Sequence, residues 1–195
     1  MQFEPEQIYH VYNQGNNRKQ LFYTDENYLY FLKLYRKFIS DKADLLAYCL
    51  MPNHFHFLIN TNAESVKLKQ VGSLQLTELS NGIRMMLTSY SAAINKQLGQ
   101  TGSQFRQKTK AKLLETNKVN YPFICFNYIH QNPIRSGIVT MMEDWEYSSF
   151  KDYAGLRKDT LCNKEMANTF IDFDNNNFVK ESYNAINPDF IDALI

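Results

Sequence analysis

The chain has 195 residues, which suffices for one globular domain with a hydrophobic core but not for two full domains. Its content of 44% hydrophobic and 14% aromatic residues excludes a disordered protein. The formal charge of +1 conceals an asymmetry, because residues 1–142 carry +7 and residues 143–195 carry −6. A basic body of this kind suits a polyanionic partner.

The first elements in the chain are a strand and a helix. Alternating side chains predict a strand over Gln7–Asn13, which ends at a turn containing Gly15, Asn16 and Asn17. Thr24 or Asp25 can then cap a helix over residues 25–40. Its apolar side chains recur at helical spacing and are Tyr28, Phe31, Leu32, Tyr35, Phe38 and Ile39.

A hairpin follows this helix. Two strand-like runs, Leu45–Leu50 and His54–Asn60, flank a turn in which Pro52 presets the backbone. Residues 61–75 are polar and predict a loop. A second helix is expected from Thr77 to about Leu98, because apolar residues recur there at three-and-four spacing before Gly99 and Gly102.

The last core elements are a basic strand and a third helix. Side chains alternate between two faces over residues 104–114, and the basic ones share one face: Arg106, Lys108, Lys110 and Lys112. Lys118 adds a further positive charge beyond this strand. Asn117 can cap a helix that ends at about Gln131, since a residue before Pro133 is pushed out of the helical region.

The order β-α-β-β-α-β-α predicts an α+β fold of the ferredoxin-like sandwich type. Such a fold has an antiparallel four-stranded sheet with helices on one face. Trp145–Phe150 predicts a short packed segment. Residues 157–195 form an acidic, asparagine-rich and partly helical extension to the body of the chain, residues 1–156.

Cysteine usage and hydropathy indicate the compartment. The three cysteines, Cys49, Cys125 and Cys162, are odd in number and lack C-x-x-C spacing, so neither a disulfide framework nor a thiolate zinc site is indicated. The N-terminus lacks a signal pattern, and the longest apolar run, Leu45–Met51, is too short to span a bilayer. We expect a cytoplasmic protein without a membrane partner.

Two imidazoles stand two residues apart on the second arm of the hairpin. Because side chains alternate along a strand, His54 and His56 project from one face, while Phe55, Phe57 and Ile59 project from the other. The pair can hold a metal ion. A half-buried strand that carries polar residues outward explains the same pattern.

A second pair of polar side chains lies on the third helix. Tyr128 and Asn132 are four residues apart and share one helical face, whereas His130 points elsewhere. A tyrosine can be a covalent nucleophile, and an amide oxygen can bind a metal. The pair is equally explained by an aromatic core residue, Tyr128, and by an asparagine before a proline, which commonly marks the end of a helix.

Together these motifs resemble the single-tyrosine HUH transposases, and most of all the REP-associated tyrosine transposases. The resemblance covers residues 7–155 and rests on five segments in order: Asn13-Gln14-Gly15-Asn16-Asn17-Arg18, Met51-Pro52-Asn53-His54-Phe55-His56, Gly102-Ser103-Gln104-Phe105-Arg106-Gln107-Lys108, Tyr128-Ile129-His130-Gln131-Asn132-Pro133-Ile134-Arg135-Ser136-Gly137 and Trp145-Glu146-Tyr147-Ser148-Ser149-Phe150.

The resemblance implies a catalytic role for particular residues. It makes His54 and His56 ligands of a divalent metal and Tyr128 the nucleophile. Relatives often have a glutamine as third ligand four residues after the tyrosine, and here that position is Asn132, which is one methylene shorter. The catalytic domain implied is residues 1–156.

The reaction implied is transesterification of single-stranded DNA through a 5′-phosphotyrosine, with a free 3′-hydroxyl as the other product. The cofactor would be Mg²⁺ or Mn²⁺, since imidazoles favour Mn²⁺ on affinity grounds and cellular abundance favours Mg²⁺. The partner would be hairpin-forming single-stranded DNA. A monomer is favoured over a homodimer, because the REP-associated branch is thought to act as monomers.

Basic and amide side chains in two segments are candidates for DNA contact. They are Asn16, Asn17, Arg18, Arg106, Lys108, Lys110 and Lys112. Contact with the backbone would give affinity with a steep salt dependence. A Lys-rich strand also protects a sheet edge, which is the alternative explanation of this face.

Two other functions are compatible with parts of the pattern. A domesticated, non-catalytic nucleic-acid-binding protein would keep the fold and the basic strand, but it would not need His54, His56 and Tyr128. A structural or interaction role, with both histidines merely satisfied in the sheet, would leave the joint occurrence of the motifs unexplained.

Overall fold

The computed structural model describes residues 1–115, 120–171, 173–174 and 176–194. Its strands are β1 (Ile8–Gln14), β2 (Ala43–Met51), β3 (His54–Thr61), β4 (Leu68–Val71), β5 (Leu74–Thr77) and β6 (Lys110–Leu113). Its helices are α1 (Asp25–Phe38), α2 (Ala63–Val66), α3 (Glu78–Leu98), α4 (Tyr121–Arg135), α5 (Phe150–Tyr153), α6 (Lys164–Phe170), α7 (Phe178–Ser182) and α8 (Pro188–Asp192).

Four strands form one antiparallel sheet in the order β2-β3-β1-β6. The first strand thus lies in the centre, as in a ferredoxin-like sandwich. Tyr12 on β1 faces His56 on β3 and Lys110 on β6. The predicted α+β class and four-stranded antiparallel sheet are confirmed.

One face of the sheet carries aromatic side chains that α1 and α3 cover. The ring of Phe31 on α1 lies 5.2 Å from that of Phe55 and 4.9 Å from that of Tyr90 on α3, measured between centroids. The two helices approach closely at Gly82, where a Cβ would lie 2.3 Å from the carbonyl oxygen of Phe38. Only glycine fits this contact without a shift of the backbone. These two helices lie on one face, as predicted.

The third predicted helix, α4, covers the opposite face of the sheet, where it contacts β2 and β3, so the prediction of helices on one face is wrong for this helix. Helices α7 and α8 of the acidic extension pack on α4 in turn. The Gln131 side chain donates to the carbonyl oxygens of Ser182 and Asn184 at 2.7 and 2.8 Å. Since Phe178 and Leu194 are also buried in the common core, α4 lies between the sheet and the extension.

The prediction of a loop over residues 61–75 is wrong. Helix α2 occupies part of it, and β4 and β5 form a two-stranded hairpin around Gly72, whose φ of 60° favours glycine. Leu68 and Leu74 are 65% and 62% exposed, so this hairpin buries little apolar surface. The polar composition of residues 61–75 therefore did not indicate this hairpin.

The basic strand is shorter than predicted. Only Lys110–Leu113 forms a ladder, with β1, and Phe105 makes an isolated bridge to Gly15. Between them the Asn13 side chain donates to the Arg106 carbonyl and to the Thr109 hydroxyl at 3.1 and 2.9 Å. Side-chain bonds thus replace the regular ladder along this stretch.

The predicted end of the third helix is also wrong, and the predicted cap Asn117 lies outside the described residues. Helix α4 begins at Tyr121, where the Asn120 side chain accepts from the Phe123 N–H at 3.1 Å. It continues through Pro133 to Arg135, and Gly137 follows with φ of 67°. The left-handed glycine, a common helix terminator, ends the helix one turn later than the proline predicts.

The segment predicted to pack at Trp145–Phe150 lies along β2. The Leu50 N–H donates to the Tyr147 carbonyl at 2.9 Å, and the Trp145 ring N–H donates to the Leu50 carbonyl at 3.1 Å. Within the part of the chain that the structure covers, no helix combines the length and apolarity needed to cross a bilayer.

Candidate active site

The two histidines of the hairpin lie side by side on the sheet face that α4 covers. The centroids of the His54 and His56 rings are 5.0 Å apart, and the rings are perpendicular. His54 is half-buried, and its Nδ1 lies 2.6 Å from the amide oxygen of Asn53. Because that oxygen only accepts, His54 Nδ1 carries the proton, and Nε2 keeps its lone pair.

A third histidine, His10 on β1, joins this pair. Its Nε2 lies 2.8 Å from Nδ1 of His56, and its Nδ1 lies 3.0 Å from the carbonyl oxygen of Leu194. Burial lowers the pKa of His10 to about 4 and holds that of His56 well below its ordinary value. Both imidazoles are therefore neutral at pH 7.

Tyr128 on α4 faces these rings within one chain. Its ring centroid lies 5.6 Å from that of His56, and the residue is only 8% exposed. Burial raises the pKa of the phenol, and a hydrogen bond from the Asn132 side chain acts in the opposite direction. The phenol is thus protonated at neutral pH.

The Asn132 side chain lies between Tyr128 and His54. Its amide nitrogen donates to the Tyr128 carbonyl at 2.9 Å, which leaves the amide oxygen available. Burial lowers the pKa of His54, and the Asn132 side chain, which can accept a hydrogen bond from the charged imidazole, acts in the opposite direction. One turn of α4 thus brings an amide oxygen to the histidine pair.

His54, His56 and Tyr128 line a cavity of about 310 Å³. Tyr12 supplies a second phenol to its wall, and its ring is stacked 5.8 Å from that of His56. Three of the predicted DNA-contact residues line the same cavity: Arg106, Lys108 and Lys110. A buried phenol, two imidazoles and three cationic side chains therefore share one small space.

A second cavity, of about 600 Å³, adjoins the first at His54 and Gln14. Arg18 lines it, whereas the Asn16 amide is held by the Ser103 carbonyl at 2.8 Å and Asn17 is exposed. Arg18 and His54 therefore border the same open space.

The fourth predicted basic residue, Lys112, pairs with His10 in the β1–β6 ladder and is half-buried. Its charge contributes to the lowered pKa of His10. The structure thus sets Lys112 beside the histidine cluster, apart from the residues that line the 310 Å³ cavity.

His130 points away from the site, as its position on the helix predicted. Its Nε2 lies 2.8 Å from the Ser149 hydroxyl, within the core. Burial lowers its pKa to about 3. This hydrogen bond links α4 to the segment that lies along β2.

His10 and Tyr12 are the residues that the sequence did not single out. Both stand on the same face of β1 because they are two residues apart. That spacing was visible in the sequence, but their approach to His56 depends on the register between β1 and β3.

The donor set fits a divalent metal. His56 Nε2 is buried and has no hydrogen-bond partner among the described residues, His54 keeps a lone pair on Nε2, and the Asn132 side chain adjoins His54. The described residues contain no cluster of three or more His, Cys, Asp or Glu that could hold an ion. A ligand set here would therefore need the amide oxygen beside the two imidazoles.

Comparison with known proteins gives one informative match. Neither a family model nor a curated protein matches the chain. Among solved structures, a REP-associated tyrosine transposase bound to a REP hairpin matches with 16% sequence identity and a TM-score of 0.58. The match covers 84% of this chain and 94% of that chain. This chain therefore has the fold of a REP-associated tyrosine transposase, in agreement with the resemblance of its sequence motifs.

Proposed function

We propose that this protein is a metal-dependent single-stranded DNA transesterase that nicks and joins hairpin-forming DNA through a tyrosine. The observation that carries the proposal is the approach of Tyr128 to His56, with 5.6 Å between ring centroids, in a cavity lined by basic side chains. The fold match to a transposase bound to a REP hairpin supports hairpin DNA as the partner.

The reaction exchanges one phosphoester for another. The Tyr128 oxygen attacks a backbone phosphorus, the bond from phosphorus to the 3′ oxygen breaks, and the phenol proton ends on the released 3′-hydroxyl. The 5′ end stays on the tyrosine as a phosphotyrosine. Since one phosphodiester replaces another, the reverse step reseals the strand without ATP.

Each group has a distinct task in this reaction. His54, His56 and the Asn132 oxygen would hold a divalent metal, Mg²⁺ or Mn²⁺, which supplies charge that polarises the scissile phosphate. Arg106, Lys108 and Lys110 would bind backbone phosphates and bring the strand to the phenol.

Tyr128 is the proposed nucleophile, although Tyr12 lines the same cavity. Tyr128 lies beside Asn132, a proposed ligand one turn away on α4, whereas Tyr12 stacks on His10 with 4.6 Å between centroids. A stacked ring on a central strand has little freedom to turn toward a phosphate.

The test is covalent trapping. Purified protein is incubated with Mn²⁺ and labelled single-stranded hairpin oligonucleotides, and adducts are resolved on denaturing gels. We expect an adduct that Tyr128→Phe abolishes and the matched control Tyr12→Phe retains. An adduct that survives Tyr128→Phe would move the nucleophile elsewhere, and tight hairpin binding without any adduct would favour a non-catalytic binding protein.

A further inference from the structure

His10 connects two groups that are far apart in the chain. Its ring lies between the Leu194 carbonyl and His56, at 3.0 and 2.8 Å. The planes of the His10 and His56 rings differ by only 19°, which suits a direct hydrogen bond between ring nitrogens. All three residues are buried.

The chemistry of the carbonyl sets the direction of both hydrogen bonds. A carbonyl oxygen only accepts, so Nδ1 of His10 must donate to Leu194. In a neutral imidazole the other nitrogen then accepts, so His10 Nε2 takes the hydrogen of His56 Nδ1. His56 Nε2 is left with its lone pair.

That lone pair has no partner in the part of the chain that the structure describes. His56 Nε2 is buried and makes no hydrogen bond there, although buried polar atoms are almost always paired. His54 has the same polarity, since its Nδ1 faces the Asn53 amide oxygen at 2.6 Å. Both imidazoles thus have Nε2 free as an acceptor.

The Leu194 carbonyl, which sets the direction of these hydrogen bonds, is fixed by its surroundings. Leu194 is completely buried, and its N–H donates to the Ile191 carbonyl at 2.8 Å. Helix α8, which precedes it, packs on α4. The carbonyl therefore cannot turn away from His10 without disturbing the packing of the extension.

We infer that His10 is a positioning residue, which transmits the polarity of the Leu194 carbonyl to His56 and holds His56 in the Nδ1–H tautomer that can bind a metal through Nε2. The inference rests on the proposed function for its purpose, but the tautomer itself is a property of the metal-free protein. Partners of this kind commonly orient metal-binding histidines.

Long-range ¹H–¹⁵N NMR spectra of the metal-free protein, labelled on histidine, read the tautomers directly. The chain has four histidines, and single His→Gln variants assign them. We expect His10 and His56 both to be protonated on Nδ1. An Nε2–H tautomer at His56 would overturn the inference, whatever the activity of the protein.

Two variants of His10 test the transmission. In His10→Gln the amide oxygen can accept from His56 and the amide nitrogen can donate to Leu194, so the polarity is kept. In His10→Phe a ring of similar size fills the space without hydrogen bonds. We expect His56 to keep its tautomer in the first variant and to lose it in the second.

Mn²⁺ affinity, measured by calorimetry, supplies the second readout. His10→Phe should weaken binding about 10–100-fold, and His10→Gln should stay close to the unaltered protein. Measurable Mn²⁺ binding of equal affinity in all three proteins would overturn the inference. A protein that binds no metal but keeps the Nδ1–H tautomer would instead overturn the proposed function and leave the role of His10 intact.

Discussion

His130 lies in the core without a charged partner, so the folding stability of this protein should depend steeply on acid pH. Its Nδ1 makes no hydrogen bond to any described residue, and its ring is surrounded by aromatic rings that include Phe126 and Phe150, with centroids 4.5 Å and 5.9 Å away. Burial therefore lowers the pKa of His130 to about 3, against 6.5 in an unfolded chain.

The sign and size of the effect follow from this difference. Between about pH 3 and pH 6.5 the unfolded state binds a proton at His130 and the folded state does not, so stability is complete above pH 6.5 and falls as the pH falls. At pH 5 the loss is about 2 kcal/mol, since each pH unit is worth about 1.4 kcal/mol. His10, whose pKa is lowered to about 4, adds a loss of similar size, and the lowered pKa of His56 acts in the same direction.

His130→Gln isolates this contribution, because glutamine can still bond to Ser149 and does not titrate. Urea unfolding followed by Trp145 fluorescence, in EDTA at pH 8 and pH 5, gives the loss of stability between the two conditions. We expect that loss to shrink by about 2 kcal/mol in the variant.

Ser149→Ala is the matched control for this experiment. It removes the bond to His130, together with the bonds of the same hydroxyl to the Tyr48 backbone, but leaves His130 in place. It should therefore lower stability at both pH values without reducing the difference between them. If the unaltered protein and His130→Gln lost the same stability between pH 8 and pH 5, the reasoning from burial would be refuted.

Two further expectations concern packing and DNA binding. Gly82→Ala should lower the unfolding free energy by up to about 2 kcal/mol, because overpacking costs about 1–3 kcal/mol and the gain in helix propensity offsets about 1 kcal/mol of this cost. Thr88→Ala, at an exposed position of the same helix, should not destabilise, and equal urea midpoints for both variants would contradict the close approach of the helices. Arg106→Gln and Lys108→Gln should each lower the slope of log affinity against log salt by about 0.7 for single-stranded DNA. Lys180→Gln, an exposed control on α7, should leave that slope unchanged, and a uniform effect of all three would refute a defined DNA path.

The order of strands and long helices was predictable because local signals agreed with the final packing. Apolar spacing indicated α1 and α3, and Thr77 does accept from the Ser80 N–H as a helix cap at 3.1 Å. Pro52 marked the turn between β2 and β3. In each case the signal lies within a few residues of the structure that it predicts.

The errors arose where distant contacts or a competing local signal decided the structure. Pro133 predicted the end of α4, but the left-handed Gly137 ends it. Phe105 is buried and bridges Gly15, and side-chain bonds from Asn13 replace the ladder between Phe105 and Lys110, so the regular basic strand is short.

The site was predictable only in part. The spacing of His54 and His56 showed that they share a face, and the resemblance paired them with Tyr128. His10 reaches His56 because β1 lies beside β3 in a particular register, and a slip by one residue would turn His10 to the other face. Nothing local to residue 10 encodes that register.

The central position of β1 also bears on how this protein folds. Val11 is paired with Phe57 on one side and with Ala111 on the other, so β1 lies between two strands that both follow it in the chain. Such long-range pairing slows folding relative to a fold built from local contacts. The β1–β6 ladder can form only after residue 113 has been synthesised, and His10 and Tyr12 meet α4 only after that helix has been made.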